Sequence, residues 1–260
     1  MQKLRHLSQG MLVRSHQHAG GRIMDTYSLF AGQFLPFTER YLPGGHNACA
    51  GSGTALALRH VYKALEEKNV DFAKASWDET PAGIFAPQET PGAPVLVLPK
   101  SDESNLYICF DAESTSKKIK AEHLAKKNPA KAAASGCLYV ATASPSHPFD
   151  LIEKVRRGWS VAGSAYIHIL CPCPVDWGFD AENTVRIGRI AVEARVFPLY
   201  EIAEGHYNIT VEDKNPRTVA DYVKRQDRFS TWKKNTIAAL QLQIDDSYEQ
   251  LKNNAAHEIN

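Results

Sequence analysis

The sequence lacks several features that would assign the chain to a specialised class. It has no run of about 18 apolar residues, so no transmembrane helix is expected. The N-terminal stretch MQKLRHLSQGMLVRSHQHAGGR has no continuous apolar core of signal-peptide length, so we expect no secretory leader. The formal net charge of +1 does not support nucleic-acid binding, which normally requires a strong basic excess. We therefore expect neither membrane insertion nor a nucleic-acid partner.

Cysteine is scarce and odd in number, with five residues in a chain of 260. An odd count in a mid-sized chain argues against a disulfide framework and indicates a reducing, cytoplasmic setting. Hydrophobic residues make up 43% of the chain and charged residues 23%, which is ordinary for a soluble globular protein. The length is sufficient for one large domain with a sizeable core.

Two local patterns could indicate a ligand but have simpler explanations. His16 and His18 form an H-x-H pair, yet no third metal ligand is nearby, and a surface segment is the simpler interpretation. The lysine-rich run at 117–131 fits the solvated face of a helix better than a nucleic-acid contact.

Apolar runs that alternate with helix-like segments predict an α/β core. Strand-like runs occur at 94–99, 105–110, 137–143 and 165–171. The segments between the last three favour helices, although Pro129 should end or kink the first of them. This alternation predicts a doubly wound, mainly parallel sheet flanked by helices.

Helical periodicity is also present on both sides of this core. The apolar spacing predicts a helix over Thr54–Leu65, and the stretch 70–94, rich in proline, glycine and acidic residues, is predicted as a long loop. Further helices are predicted to end near Arg195 and to span Thr218–Phe229. A last apolar stripe has helical spacing and consists of Ile237, Leu240, Ile244, Tyr248 and Leu251. We expect this stripe to pack on the chain's own domain, and packing against a partner chain is the alternative.

These patterns divide the chain into three parts. An irregular N-terminal segment is predicted for 1–45, an α/β core for 46–200 and a helical C-terminal extension for 201–260. Polar turns follow three strands of the core, as FDAES, ASPSHP and CPCPVDWGF. Because ligands bind at the carboxyl edge of an open parallel sheet, we expect the polar residues of these turns to line one site. They are Asp111, Glu113, Ser144, His147 and Cys173.

The turn CPCP and the stretch GGHNACAGSG each allow two interpretations. Cys171 and Cys173 are each followed by proline, which makes a rigid turn whose thiolates would suit zinc or an iron–sulfur cluster. A strand end with a buried, inert cysteine explains the same residues equally well. The glycines before the first helix could expose backbone N–H groups to an anion, or they could simply make a turn.

Five motifs, taken in their order along the chain, resemble one protein family. They are similar to the β subunit, the thiamine-diphosphate-binding chain, of pyruvate:ferredoxin and related 2-oxoacid:acceptor oxidoreductases. The resemblance covers about Tyr41–Leu65 and Asn105–Gly205. The motifs are PGGHNACAGSGTALALRHVYKAL, YICFDAE, YVATASPSHPFDLIEKV, GSAYIHILCPCPVDWGFD and RIAVEARVFPLYEIAEG.

The resemblance implies a reaction, cofactors and partners. The family decarboxylates a 2-oxoacid on thiamine diphosphate with Mg²⁺ and passes electrons through [4Fe–4S] clusters to ferredoxin. Coenzyme A takes the acyl group. The implied partners are ferredoxin and the other subunits of the oxidoreductase complex, and the α/β core would be a reduced thiamine-diphosphate-binding domain.

The resemblance also implies two sets of site residues, although it assigns no catalytic residue. Remnant iron–sulfur ligands would be Cys49 and Cys173. The implied cofactor-binding residues are His46, Gly51, Gly53, Asp111 and Glu113.

The chain departs from the family at several ligand positions. Ser52 stands where the resemblance implies a second cysteine, and Ala112 replaces the amide of a DNE-like motif. No G-D-G motif occurs anywhere, and the interval 66–104 is shorter than the family's. A serine oxygen is a poor substitute for a soft thiolate toward iron, and Mg²⁺ needs oxygen ligands to hold a diphosphate. We therefore interpret GGHNACAGSG as the remnant of a cluster loop in which the start of the helix survives.

Three functional hypotheses remain open at this point. The first hypothesis is that the chain is a β-type subunit of a 2-oxoacid:acceptor oxidoreductase complex, whose partner chains supply the missing chemistry. Alternatively, it is a catalytically degenerate paralogue that acts as a scaffold or regulatory subunit. The third hypothesis is a cysteine-dependent metal or redox protein with a reactive pair at Cys171 and Cys173.

Overall fold

A single seven-stranded sheet organises the described part of the chain. The computed structural model describes residues 48–66, 70, 74–78, 93–112 and 128–256. The strands are β1 Ser76–Asp78, β2 Val95–Pro99, β3 Asn105–Asp111, β4 Tyr139–Ala143, β5 Ala165–Leu170, β6 Leu199–Ala203 and β7 His206–Val211.

The centre of the sheet is parallel and its edges are antiparallel. The strand order is β1-β2-β3-β5-β4-β6-β7, and β5 lies parallel between β3 and β4. The pairings of β1 with β2, β2 with β3, β4 with β6, and β6 with β7 are antiparallel. Because two successive antiparallel pairings restore the direction, all strands except β2 and β6 point the same way. The predicted mainly parallel α/β sheet is confirmed.

Helices cover both faces of this sheet, as predicted for a doubly wound fold. On one face, α1 and α3 pack with side chains of β2, β3, β4 and β5 in one apolar cluster. On the other face, the apolar cluster contains residues of α2 and of the second half of α7. The helices are α1 Gly53–Leu65, α2 Asn128–Ala134, α3 Pro148–Ser160, α4 Pro174–Trp177, α5 Thr184–Glu193, α6 Val219–Val223 and α7 Lys234–Ala256. No helix among the described residues is both long and apolar enough to cross a membrane.

The two central parallel crossovers depend on local signals at helix ends. Pro148 occupies the first turn of α3, where its missing N–H costs no helical hydrogen bond. At the other end of α3, Lys100 Nζ donates to the carbonyl oxygens of Gly158, Val161 and Gly163, at 3.1, 2.5 and 2.7 Å. A cation at a helix C-terminus complements the unpaired carbonyls there. Pro129 likewise lies in the first turn of α2. The predicted helix before it, which Pro129 should end or kink, lies outside the described residues.

The hairpin β6–β7 was missed by the sequence reasoning. Its two-residue turn places Glu204 and Gly205 at φ 54° and 88°, the left-handed pair typical of a tight hairpin turn. The predicted boundary at residue 200 falls inside β6, so the hairpin belongs to the sheet and the helical part begins after it. Strand β1 likewise lies within the segment predicted as a long loop.

A buried polar network attaches this hairpin to α3. Lys154 Nζ donates to Thr142 O, Asp150 Oδ2 and Thr210 Oγ1, at 2.9, 2.8 and 2.7 Å. Lys154 is 1% exposed, so its charge requires all of these partners. Burial lowers the pKa of Lys154, and Asp150 opposes that shift. The network therefore links α3 to β4 and β7 through polar contacts.

Helix α7 packs on its own domain, which confirms the favoured interpretation of the C-terminal stripe. Leu240 and Ile244 lie in an apolar cluster with α5 and α6. Tyr248 and Leu251 lie in the cluster on the sheet. The guanidinium of Arg195 sits 4.2 Å from the centre of the Tyr248 ring, a cation–π contact that adds to this packing.

Stability should fall between neutral and mildly acidic pH because of His60. Burial lowers the pKa of this histidine from 6.5 to about 4. The unfolded chain takes up a proton below 6.5 that the folded chain excludes until about pH 4, so stability present above 6.5 is lost as the pH falls. We expect His60 to account for about 2 kcal/mol of the loss between pH 7.5 and 5.

Urea unfolding of the wild type and His60→Gln at both pH values measures this contribution. The variant should lose less stability on acidification than the wild type. Substitution of the exposed His206 by glutamine is the matched control. Identical pH profiles for wild type and His60→Gln would contradict the assignment.

Candidate functional site at the carboxyl edge

The loop before α1 packs directly against the turn after β5. The N–H of Gly53 donates to the carbonyl of Pro172 at 3.0 Å. A Cβ at position 53 would lie 2.6 Å from the backbone N and O of Pro172, closer than real Cβ contacts allow. Glycine is therefore required here for a close backbone approach. The structure thus brings together the two segments that carry the most specific sequence motifs.

Gly51 also has a packing role in this loop. It adopts φ +71°, and a Cβ there would lie 2.5 Å from Ala181 O. Its own carbonyl accepts a hydrogen bond from Thr184 Oγ1 at 2.6 Å. Gly51 and Gly53, predicted as cofactor-binding residues, both fix the loop against neighbouring turns.

Ser52 is the N-cap of α1. Its Oγ accepts the N–H of Ala55 at 3.3 Å, and its own N–H donates to Cys49 O at 3.0 Å. Serine is a favoured N-cap because its oxygen satisfies a donor that the helix start leaves unpaired. The interpretation that the helix start survives is confirmed. Cys49, three residues earlier, is exposed.

The two cysteines after β5 differ in burial. Cys171 is fully buried and its Sγ lies 3.5 Å from Ile169 O, whereas Cys173 is only partly buried. Burial raises the pKa of Cys173, and it raises the pKa of Cys171 well above the ordinary value. A raised pKa reduces the thiolate form, which is the reactive one. This argues against the hypothesis of a reactive Cys171–Cys173 pair.

Asp111 ends β3 beside this cysteine turn, as predicted. Its backbone carbonyl accepts the N–H of Cys171 at 2.7 Å. Its side chain is buried, and Oδ2 lies 2.8 Å from His168 Nε2. The other ring nitrogen of His168 lies 2.7 Å from the Tyr166 hydroxyl. Because a carboxylate only accepts, Nε2 of His168 donates to Asp111.

The backbone beyond Asp111 is engaged as well. The carbonyl of Ala112 accepts the indole N–H of Trp177 at 2.8 Å. Trp177 is fully buried, with the Arg228 guanidinium 3.6 Å from the centre of its ring. This cation–π contact holds α4 against the chain segment at Asp227–Phe229. His46 and Glu113, predicted as cofactor-binding residues, lie outside the described residues.

The turn after β4 forms its own small polar cluster. Ser144 Oγ lies 2.8 Å from Ser146 Oγ, which lies 3.0 Å from His147 Nδ1. Both serines are buried and pack under Gly188 of α5. Burial lowers the pKa of His147, and Asp150 acts in the opposite sense. Since β4 and β3 both neighbour β5, this cluster and Asp111 belong to the same sheet edge.

Two residues of this edge were missed by sequence reasoning. His168 is a lone polar residue within the apolar strand AYIHIL, and this position could have indicated a buried partner. Arg228 had no such signal. Its contact with Trp177 joins residues far apart in sequence, and only the folded chain reveals it.

Comparison with known proteins identifies relatives over most of the chain. No family model matches the sequence. The chain is 40% identical to pyruvate synthase subunit PorB of Methanothermobacter thermautotrophicus, over 82% of this chain and 98% of that protein. It is 39% identical to pyruvate synthase subunit PorB of Methanocaldococcus jannaschii, over 81% of this chain and 79% of that protein. Ketoisovalerate oxidoreductase subunit VorB of Pyrococcus abyssi is 25% identical, over 84% of this chain and 94% of its own length.

The chain belongs to the β subunits of 2-oxoacid:ferredoxin oxidoreductases. The family resemblance drawn from the motifs is thus confirmed. The match to the Methanothermobacter thermautotrophicus subunit extends over 282 residues, more than the whole length of this 260-residue chain. That relative therefore has residues with no counterpart here, in agreement with the shortened interval noted in the sequence.

The described residues do not fit the cofactors that the family resemblance implies. Toward a [4Fe–4S] cluster, Ser52 offers an oxygen already used as a helix cap. Toward Mg²⁺ and a diphosphate, Asp111 offers a carboxylate that is buried against His168. Within the described part of the chain, no group of three or more histidine, cysteine, aspartate or glutamate residues could hold a metal ion.

Gly53→Ala should destabilise the protein by about 1–3 kcal/mol, the usual cost of overpacking. The added Cβ would strike the Pro172 backbone, which cannot move as a side-chain end could. Chemical unfolding followed by circular dichroism measures the loss. Gly205→Ala is the contrasting variant, because its Cβ meets nothing within 4 Å and only its φ of +88° opposes it. Unchanged stability of Gly53→Ala would contradict the close approach.

Alkylation of the native chain should follow burial. We expect Cys49 to be modified fastest, Cys173 more slowly, and Cys171 only after unfolding, because Cys171 is inaccessible and its pKa is raised. Mass spectrometry of time points resolves the three sites, and denatured protein is the control. Rapid modification of Cys171 in the folded chain would restore the reactive-pair hypothesis.

Proposed function

We propose that this chain is a β-type subunit of a 2-oxoacid:acceptor oxidoreductase complex. The complex would oxidatively decarboxylate a pyruvate-like 2-oxoacid to acyl-CoA and pass electrons to an iron–sulfur acceptor such as ferredoxin. The main observation in support of this proposal is the 40% identity to a pyruvate synthase subunit over 98% of that subunit's length. The joined Gly53 and Pro172 segments support it further, because they place the family-like motifs at one sheet edge.

The proposal includes partner chains. The relatives are named as subunits, so the other subunits of such an enzyme are the expected partners. Thiamine diphosphate, Mg²⁺ and [4Fe–4S] clusters would then be properties of the complex. Their ligands would come from groups other than the described residues of this chain, chiefly from the partner chains. A cytoplasmic location belongs to the same proposal, since all five cysteines are free thiols.

A second candidate function is a catalytically degenerate paralogue that acts as a scaffold or regulatory subunit. The specific observation in its favour is that Ser52 and Asp111 serve structural contacts at the positions where ligands were expected. Under this alternative the chain would keep an assembly surface and contribute nothing to the chemistry.

Anaerobic affinity purification of the tagged chain from its own host tests the proposal. We expect the other oxidoreductase subunits to co-purify, with 2-oxoacid- and coenzyme-A-dependent reduction of an acceptor in the same fraction. An unrelated tagged chain of similar size is the control for non-specific capture.

The activity and the iron and thiamine diphosphate content of the complex, with and without this chain, then separate the two candidates. If activity is lost in a strain that lacks this chain and is restored by re-expressing it, the chain is an enzyme subunit. A complex whose activity and cofactor content stay unchanged without it would make the chain a scaffold. Absence of every oxidoreductase subunit from the purified fraction would contradict both.

A further inference from the structure

We propose that groups of the chain itself, in place of a cofactor, satisfy the hydrogen-bonding groups at the carboxyl edge of the sheet. We call this arrangement the closed edge. The contacts of this closed edge are made by Ser52, Gly53, Asp111, His168, Pro172 and Trp177. The chain therefore folds, and keeps this edge, without metal or diphosphate. The inference concerns the chain itself and stands apart from the question of which complex contains it.

Two of the N–H donors at the start of α1 are already taken by acceptors of the chain itself. A helix N-terminus binds anions through backbone N–H groups that lack an intrahelical partner. Here the N–H of Ala55 is taken by Ser52 Oγ and the N–H of Gly53 by Pro172 O. A cysteine ligating iron at position 52 could not cap the helix in this way.

The end of β3 is closed in the same manner. Both carbonyls after Phe110 accept hydrogen bonds from the chain, Asp111 O from the Cys171 N–H and Ala112 O from the Trp177 indole. The Asp111 carboxylate, 1% exposed, lies against His168, which is also 1% exposed. Buried carboxylates persist only where such partners satisfy them.

Asp111 cannot leave this arrangement without cost to its neighbours. Turning its carboxylate toward a metal would break the bond to His168 and leave a buried N–H unpaired. The His168 ring is held in place by the Tyr166 hydroxyl and by the Phe197 ring, whose centre lies 5.8 Å away. Asp111 is thus the anchor of a buried Tyr166–His168–Asp111 chain, a positioning residue for the sheet edge.

Thermal unfolding of the full chain tests the closed edge. We expect the wild type in EDTA to unfold cooperatively, with a Tm that added Mg²⁺ and thiamine diphosphate leave unchanged. Asp111→Asn should lower that cofactor-free Tm by at least about 4 °C, since a charged acceptor for His168 is lost. The matched control is Asp102→Asn, an exposed carboxylate whose replacement should leave the Tm unchanged.

A second variant covers the case in which Asp111→Asn fails to fold. Tyr166→Phe keeps the buried ring and removes only the hydroxyl that meets His168. It should lower the cofactor-free Tm to a smaller extent, whereas a role of Asp111 limited to metal binding leaves this variant neutral. Anaerobic incubation of the wild type with iron and sulfide should produce no cluster absorption.

Three results would overturn the inference. They are a wild-type Tm that rises with Mg²⁺ and thiamine diphosphate, a cluster formed at stoichiometric yield, and cofactor-free Tm values of Asp111→Asn and Tyr166→Phe equal to that of the wild type. None of these depends on co-purification with other subunits, so the proposed function can fail or stand independently of this test.

Discussion

The close approach of the loop before α1 to the turn after β5 is the constraint on which the rest of the edge depends. The Gly53–Pro172 hydrogen bond requires that position 53 carry no side chain, and it brings the N-terminus of a helix onto the end of a central strand. Because β5 pairs with both β3 and β4, anything fixed to its end is fixed to the whole parallel centre. The arrangement of residues at this edge therefore depends on the Gly53–Pro172 contact and on the sheet beneath it.

This constraint explains how the chain can keep a family architecture while its ligand positions change. Ser52 caps α1, the helix that follows the loop resembling a cluster loop. The Asp111 carboxylate contacts the buried His168 and not solvent or a ligand. Both changes satisfy polar groups within the chain, which is what burial demands. The architecture needs the glycines and the strand ends, and these are retained.

Much of the core could be read from sequence because its signals are local. The apolar runs at 105–110 and 165–171 and the helix at Thr54–Leu65 each appear within about two residues of their predicted bounds. The hairpin β6–β7 was missed because its strands are short, β7 is only partly buried, and Glu204-Gly205 is not one of the Asn-Gly or Asp-Gly pairs that signal a tight turn. The antiparallel edges escaped prediction because strand pairing is decided by partners distant in sequence.

The sequence by itself determined the α/β class, the family and the absence of a second cysteine at position 52, since each follows from residue identity and order. Only the tertiary structure decided what the remaining groups do. Whether Asp111 meets a ligand or His168, and whether Cys171 is accessible or buried, depends on side chains that β3 and β5 bring together across more than fifty residues. Burial and hydrogen-bond partners are properties of the folded chain, and they set the chemistry of this edge.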